Sequence, residues 1–235
     1  MRKPSTSAFT LVELLTVLAI IVILTSLVVS VGGYVQKKAA LSRAAGEISM
    51  LVTACESYKS DNAGFPRDAS TARVTDAISP KADFVPTTDT NGKYAASSLF
   101  LYKELSGDKT GSGSAPDGIP DDGQPRYLKD VENRILKATK NPTTKAIISV
   151  QYLQDPFGNP YAYSTSAASD EQNYQKQILQ NPALRKTLQR PTGNALHGFN
   201  AGSYDLWSTG GSTPKSSVTS TAAMELEWAK WVKNW

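Results

Sequence analysis

Residues 9–31, FTLVELLTVLAIIVILTSLVVSV, constrain this chain more than any other stretch. The run is almost wholly apolar. At ~1.5 Å per residue it makes a helix of roughly 35 Å, enough to cross a hydrocarbon core of ~30 Å. It holds one carboxylate, Glu13, four residues after Phe9. A short basic leader, residues 1–8, precedes it and is polar, with Pro4 and serines. The remainder of the chain is polar and belongs on one side of the membrane. The run is longer than the core of an ordinary secretory signal, and GGYVQKK after it offers no small-residue cut site. The small residue lies before the run, at Ala8. Arg2 and Lys3 on one side are matched by Lys37, Lys38 and Arg43 on the other, so charge bias does not orient the span.

With 235 residues the chain accommodates one span and one modest domain. The net charge of +4 is spread along it without a basic run, which argues against nucleic acid as a partner. Cys55 is the sole cysteine, so no internal disulfide forms, and its place on an apolar stripe reads as a buried thiol. The sole histidine, His197, has no nucleophile motif nearby and reads as a loop residue. No P-loop, dinucleotide fingerprint or zinc-ligand cluster appears, so the chain is not expected to be an enzyme. Asp117, Asp121 and Asp122 form the one acidic cluster. Glycines there suit calcium, but the spacing fails an EF-hand loop, and a solvated turn is the simpler reading.

The helical period resumes after Gly32 and Gly33, a helix-weakening pair that suits a bend or joint. Leu41, Ala44, Ile48, Leu51, Cys55 and Tyr58 recur at steps of three and four, leaving Lys37, Arg43, Glu47 and Glu56 off the stripe. Residues 9–60 are therefore expected to form one helix of roughly 75–80 Å. DNAGFP at 61–66 ends it. Residues 67–95 and 106–126 read as loops. Helices are expected over 96–106, 131–140 and 170–190, the last interrupted near Pro182. Strands are expected over 146–153, 161–164 and 203–207, and a turn over 155–160. Met224, Trp228, Trp231, Val232 and Trp235 fall on one face of an expected amphipathic terminal helix. The fold class is α+β: a long helix on a small antiparallel sheet with long loops.

The N-terminal pattern resembles the processing signal of type IV pilins and type II secretion pseudopilins. The resemblance implies cleavage by a prepilin peptidase between Ala8 and Phe9, followed by N-methylation of Phe9. Ala8 stands where the family usually has glycine. Two further stretches are similar to the major pseudopilin of type II secretion. One is YKSDNAGFP, with Tyr58, Asp61, Asn62 and Pro66. The other is a pair: DPFGNPY, with Asp155, Pro156, Gly158, Asn159, Pro160 and Tyr161, and YDLWSTG, with Tyr204, Asp205, Ser208 and Gly210. The family's calcium loop follows that last motif. Here residues 210–217, GGSTPKSS, hold no carboxylate, so calcium is not carried over. Ser30 stands where the family often has proline. Residues 67–150 and 165–200 show no resemblance.

The resemblance implies a pilin-like division: leader 1–8, membrane half of the helix 9–31, amphipathic half 32–60, and a periplasmic head 61–235. It implies an inner-membrane subunit that assembles with itself into a pseudopilus driving protein export, with the peptidase, an assembly platform and minor pseudopilins as partners. A surface type IV pilus subunit or minor pilin is the neighbouring reading. A membrane-anchored binding protein that borrows the signal is the reading from another class.

Glu13 is the chemical anomaly. A carboxylate at the centre of a span costs ~2.5–3.5 kcal/mol on insertion scales, so it calls for a cation at its own depth. Cleavage would create one, the Phe9 α-amine, with a reference pKa near ~8. The amine of the same chain lies four residues away, and that of a neighbour is the choice the resemblance favours. Such a pair would set the axial register of stacked subunits, because a wrong register leaves a charge unpaired in grease. A glutamate reaching the membrane surface with no role is the plainer reading.

Overall fold

A computed structural model describes residues 9–83, 92–110, 115–129, 134–192, 197–212 and 220–235. Among them the order is α1 (Leu11–Asn62), α2 (Lys93–Ser106), β1 (Leu136–Lys140), β2 (Ile147–Leu153), β3 (Ala162–Ser164), α3 (Ser166–Gln180), a 3-10 helix (Pro182–Lys186), β4 (Asp205–Ser208), α4 (Thr221–Trp228) and β5 (Val232–Lys233). The chain is α+β, with a long apolar N-terminal helix and small antiparallel sheets. It divides into two compact units, Met1–Ala40 and Leu41–Trp235.

In the first unit the helix is long and apolar enough to cross a membrane. Its leucines, isoleucines and valines are exposed; Leu15 is 60 % and Ile23 60 % accessible. Such a surface is suited to an apolar surround. Three hydroxyls within the run turn back onto the helix: Thr16 donates to the Glu13 carbonyl at 2.9 Å, Thr25 to Ile21 and Ser26 to Ile23, both at 2.7 Å. Those groups therefore carry their own acceptors and leave Glu13 as the one charge. Helical hydrogen bonding continues through Gly32 and Gly33.

The second unit is built on the expected stripe. Ala44, Ile48, Leu51, Ala54 and Cys55 are buried against Leu101 and Leu105 of α2, Leu136 of β1, Val150 and Leu153 of β2, and Tyr161, Tyr163, Tyr204 and Leu206. A second cluster gathers Ile78, Tyr94, Ala162, Trp207, Trp228 and Trp231. Strands β1 and β2 form one antiparallel pair with two register shifts, and β3, β4 and β5 form a second antiparallel sheet in that order. α2 joins β2 through a buried hydroxyl: Ser98 accepts from the Leu153 amide at 3.0 Å and donates to its carbonyl at 3.1 Å.

Three expectations are corrected. The helix expected over 131–140 is strand β1 from Leu136 onward; residues 131–133 lie outside the described residues. Pairing with β2 buries Leu136 and exposes Lys137, and this long-range pairing overrides a weak local helical pattern. The terminal aromatic stripe does not lie on one helix. α4 stops at Trp228, and Val232 pairs with Ser208 as part of β5. Trp231 between them lies parallel to Trp207, centroids 5.9 Å apart. Both indoles are buried, and offset stacking of this kind is a favoured aromatic contact. Glu47, expected on the solvated side of its helix, is 7 % accessible. The other expected elements occur with shifted ends: α2 and α3 begin earlier than read, and α3 breaks at Pro182.

Candidate functional site

The singled-out residues occupy three places. The first is the start of α1. Thr10 and Glu13 form a reciprocal cap: the Thr10 amide and hydroxyl donate to Glu13 Oε2 at 2.9 and 2.8 Å, and the Glu13 amide donates to Thr10 Oγ1 at 3.3 Å. A threonine followed three residues later by glutamate is the local signal for it. The carboxylate thus has two neutral donors but no countercharge within this unit's described residues. Phe9 is 80 % accessible, and Ala8 lies outside the described residues.

The second place is the end of α1. Asn62 donates to the Tyr58 carbonyl at 2.9 Å and to the Tyr127 hydroxyl at 3.1 Å, while the Tyr58 hydroxyl donates to Glu104 at 3.2 Å. The Tyr58 and Tyr127 rings meet edge-on at 5.2 Å. Burial beside the Glu104 charge pushes the Tyr58 phenol up to about 12. The chain leaves the helix through Ala63, whose φ of 57° lies in the left-handed region. Phe65 then packs edge-on to Tyr204, with the Lys59 ammonium over its ring at 4.5 Å. The Pro66 carbonyl accepts from the Tyr163 hydroxyl at 2.6 Å. Asp61 is exposed and engages nothing among the described residues.

The third place joins the two later motifs. Asp155 is 3 % accessible, and its carboxylate accepts from the amides of Phe157 and Asn159 at 2.9 and 2.8 Å and from the Ser208 hydroxyl at 2.5 Å. Burial nevertheless pushes its carboxyl above the usual range, with those hydrogen bonds opposing. Gly158 closes the turn by donating to the Asp155 carbonyl at 3.0 Å, and Pro160 bridges back to Gln154. Pro156 is half-buried within the turn. The next residue, Tyr161, donates to Glu47 at 2.6 Å, and Arg43 lies 3.5 Å from the same carboxylate. Gly210 has a φ of 62°, and a Cβ there would stand 2.4 Å from the Lys230 carbonyl, so only glycine fits. Tyr204 lies between Phe65 and Tyr163, and the Asp205 carboxylate accepts from the amides of Phe199 and Asn200 at 2.8 and 3.0 Å. Motifs about fifty residues apart in sequence thus converge against the α1 stripe. Sequence reading missed Glu47; the only signal for it was a tyrosine in a recurring motif with no stated partner.

The other candidates do not converge. Asp121 Oδ2 accepts from the amides of Lys109 and Thr110, both at 3.0 Å, and Asp117 Oδ1 from the Ile119 amide. Asp122 is exposed. Among the described residues no three His, Cys, Asp or Glu side chains gather as a metal cage. His197 lies on the surface with Nδ1 3.0 Å from Asp170. Cys55 is enclosed, and burial pushes its thiol up to about 12. Comparison with protein-family models, with curated proteins and with solved structures finds no match to this chain.

Proposed function

We propose that this chain is a pilin-like subunit of a membrane-anchored fibre, most similar to the major pseudopilin of a type II secretion system. Its head would sit in the periplasm and its apolar helix in the inner membrane until assembly. The observation that carries the reading is an apolar run at the head of a long helix whose one charge, Glu13, has only the neutral donors of Thr10 among the described residues. The motif residues that suggest the family also support it, because they join the end of the helix to both later motifs rather than scattering over the surface.

Thr10 has a definite part in this scheme. Its two donors hold the Glu13 carboxylate at the head of the helix while the subunit waits in the bilayer. Cleavage after Ala8 would then make Phe9 the terminal residue and free its amine. A neighbour's amine brought to the same depth supplies the countercharge that Thr10 lacks. Before and after assembly the leucine, isoleucine and valine surface stays in an apolar surround, so register rests on the charge pair and not on a gain in burial.

Terminal sequencing of the protein from its native host should begin at Phe9. Glu13→Ala should abolish fibres seen by electron microscopy while the head's melting stays unchanged. Wild-type fibre yield from that variant, or a mature pool beginning at Met1, overturns the reading.

A further inference from the structure

The head divides charge between two flanks of one strand. Residues 133–154, between Glu132 and Asp155, contain Arg134, Lys137, Lys140 and Lys145 and no acid; residues 110–125, between Lys109 and Arg126, contain Asp117, Asp121 and Asp122 and no Lys or Arg. On one side of β2, β1 pairs through Lys140↔Ile147 and Lys137↔Tyr152. On the other, the Pro116 carbonyl accepts from the Val150 amide at 2.7 Å, and Gly118 lies against the Ile147 side chain. The acidic loop thus lies along the edge of β2 opposite the basic strand β1. Lys137 and Lys140 are exposed and make no ion pair among the described residues, whereas Arg43, Arg67, Lys93 and Arg190 each have a carboxylate partner. Ile119 on the acidic flank and Ile148 on β2 are exposed large aliphatics.

We propose that the basic β1–β2 hairpin of one copy docks on the acidic 116–122 loop of the next copy. A second copy is the occupant because this chain carries both halves of the match. The same two flanks attract in the head-to-tail orientation and repel when like meets like. A contact between two different patches does not close on itself, so it propagates as a row. Ile119 and Ile148 supply apolar contact inside a charged rim, the usual anatomy of a protein interface. Lysines on an edge strand also discourage backbone pairing between sheets, so docking through side chains is what this edge permits. This contact rests on the fibre reading above and names the head surface that neighbours share.

Engineered cysteines in the full chain, held in its membrane, test the contact. Cys55 is wholly buried and does not compete. Under mild oxidation, Lys140→Cys chains mixed with Asp122→Cys chains should give a disulfide dimer that neither variant forms alone. One chain carrying both substitutions should give a ladder beyond the dimer. Both products should be lost in ~1 M salt, where charges are screened beyond ~3 Å, and lost when Lys137→Glu is added. Self-linking of Lys140→Cys as strong as the mixed product overturns the proposal, as does equal linking by Leu179→Cys on α3. Fibres without the mixed dimer overturn this contact and leave the fibre reading standing. The mixed dimer in membranes that never yield fibres supports the contact and overturns the fibre reading instead.

Discussion

The apolar part of α1 and the part that runs through the head each carry one glutamate in apolar company, and the two are handled differently. Glu47 is enclosed, with the Tyr161 hydroxyl and the Arg43 guanidinium both within the same unit. Glu13 has the amide and hydroxyl of Thr10 and an exposed apolar surround. A buried carboxylate needs hydrogen bonds and a countercharge. The head supplies both from its own fold. Among the described residues the apolar run supplies only the first. The apolar side chains follow the same division: those of the stripe from Ala44 to Cys55 are enclosed by the head, and the leucines, isoleucines and valines of the apolar run such as Leu15 and Ile23 are exposed.

The largest effect that would break this contrast is in the core. Leu51→Ala should lower the head's unfolding free energy by about 2–5 kcal/mol, as buried leucines generally do. Ile21→Ala in the span should leave the head's melting curve where it is. Equal shifts from both, measured by near-ultraviolet circular dichroism, would show that the span's side chains are enclosed after all.

Next is Asp155. Asp155→Ala leaves two amides and the Ser208 hydroxyl without their acceptor, a loss of about 1–3 kcal/mol. The pH dependence sharpens it. Because burial raises this carboxyl in the folded head, folding favours its protonated form. Its contribution to stability is greatest below the ordinary value near 3.8, falls as pH rises to the raised folded value, and is flat above that. The gap in urea midpoint between wild type and Asp155→Ala should therefore narrow with rising pH across that window. A gap that widens instead would mean that the three donors outweigh burial.

The smallest effect concerns the exit from α1. A non-glycine residue in the left-handed region costs roughly 1 kcal/mol, so Ala63→Gly should stabilise the head by about that amount. Thermal melting of the two proteins checks it, and a destabilised variant would show that the loss of alanine's constraint on the unfolded chain dominates.

Much of this arrangement is legible in the residues. The stripe through Ile48, Leu51 and Cys55 is helical in period and lies where that period puts it. AIISVQYL reads as a strand because it is short, apolar and β-branched, and β2 is that strand. The 155–160 turn follows from its prolines, glycine and capping aspartate. Other parts are not legible. Ala63 carries the left-handed conformation where Asn62 or Gly64 has the better propensity. Residues 136–140 have no strong period of their own and become a strand only because β2 lies beside them.

What the amino acids determine unaided is whatever depends on neighbours within a turn or two: where the apolar run begins, where its acid stands, which face of the helix is greasy, where the chain must turn. What tertiary structure alone decides is which distant group answers a buried one. Glu47 looks like any solvated helix residue until Tyr161 arrives above it, and Trp231 looks helical until Trp207 offers a flat face. Local periodicity is a property of the chain, whereas the burial of a polar atom or an indole is a property of the space that other segments enclose.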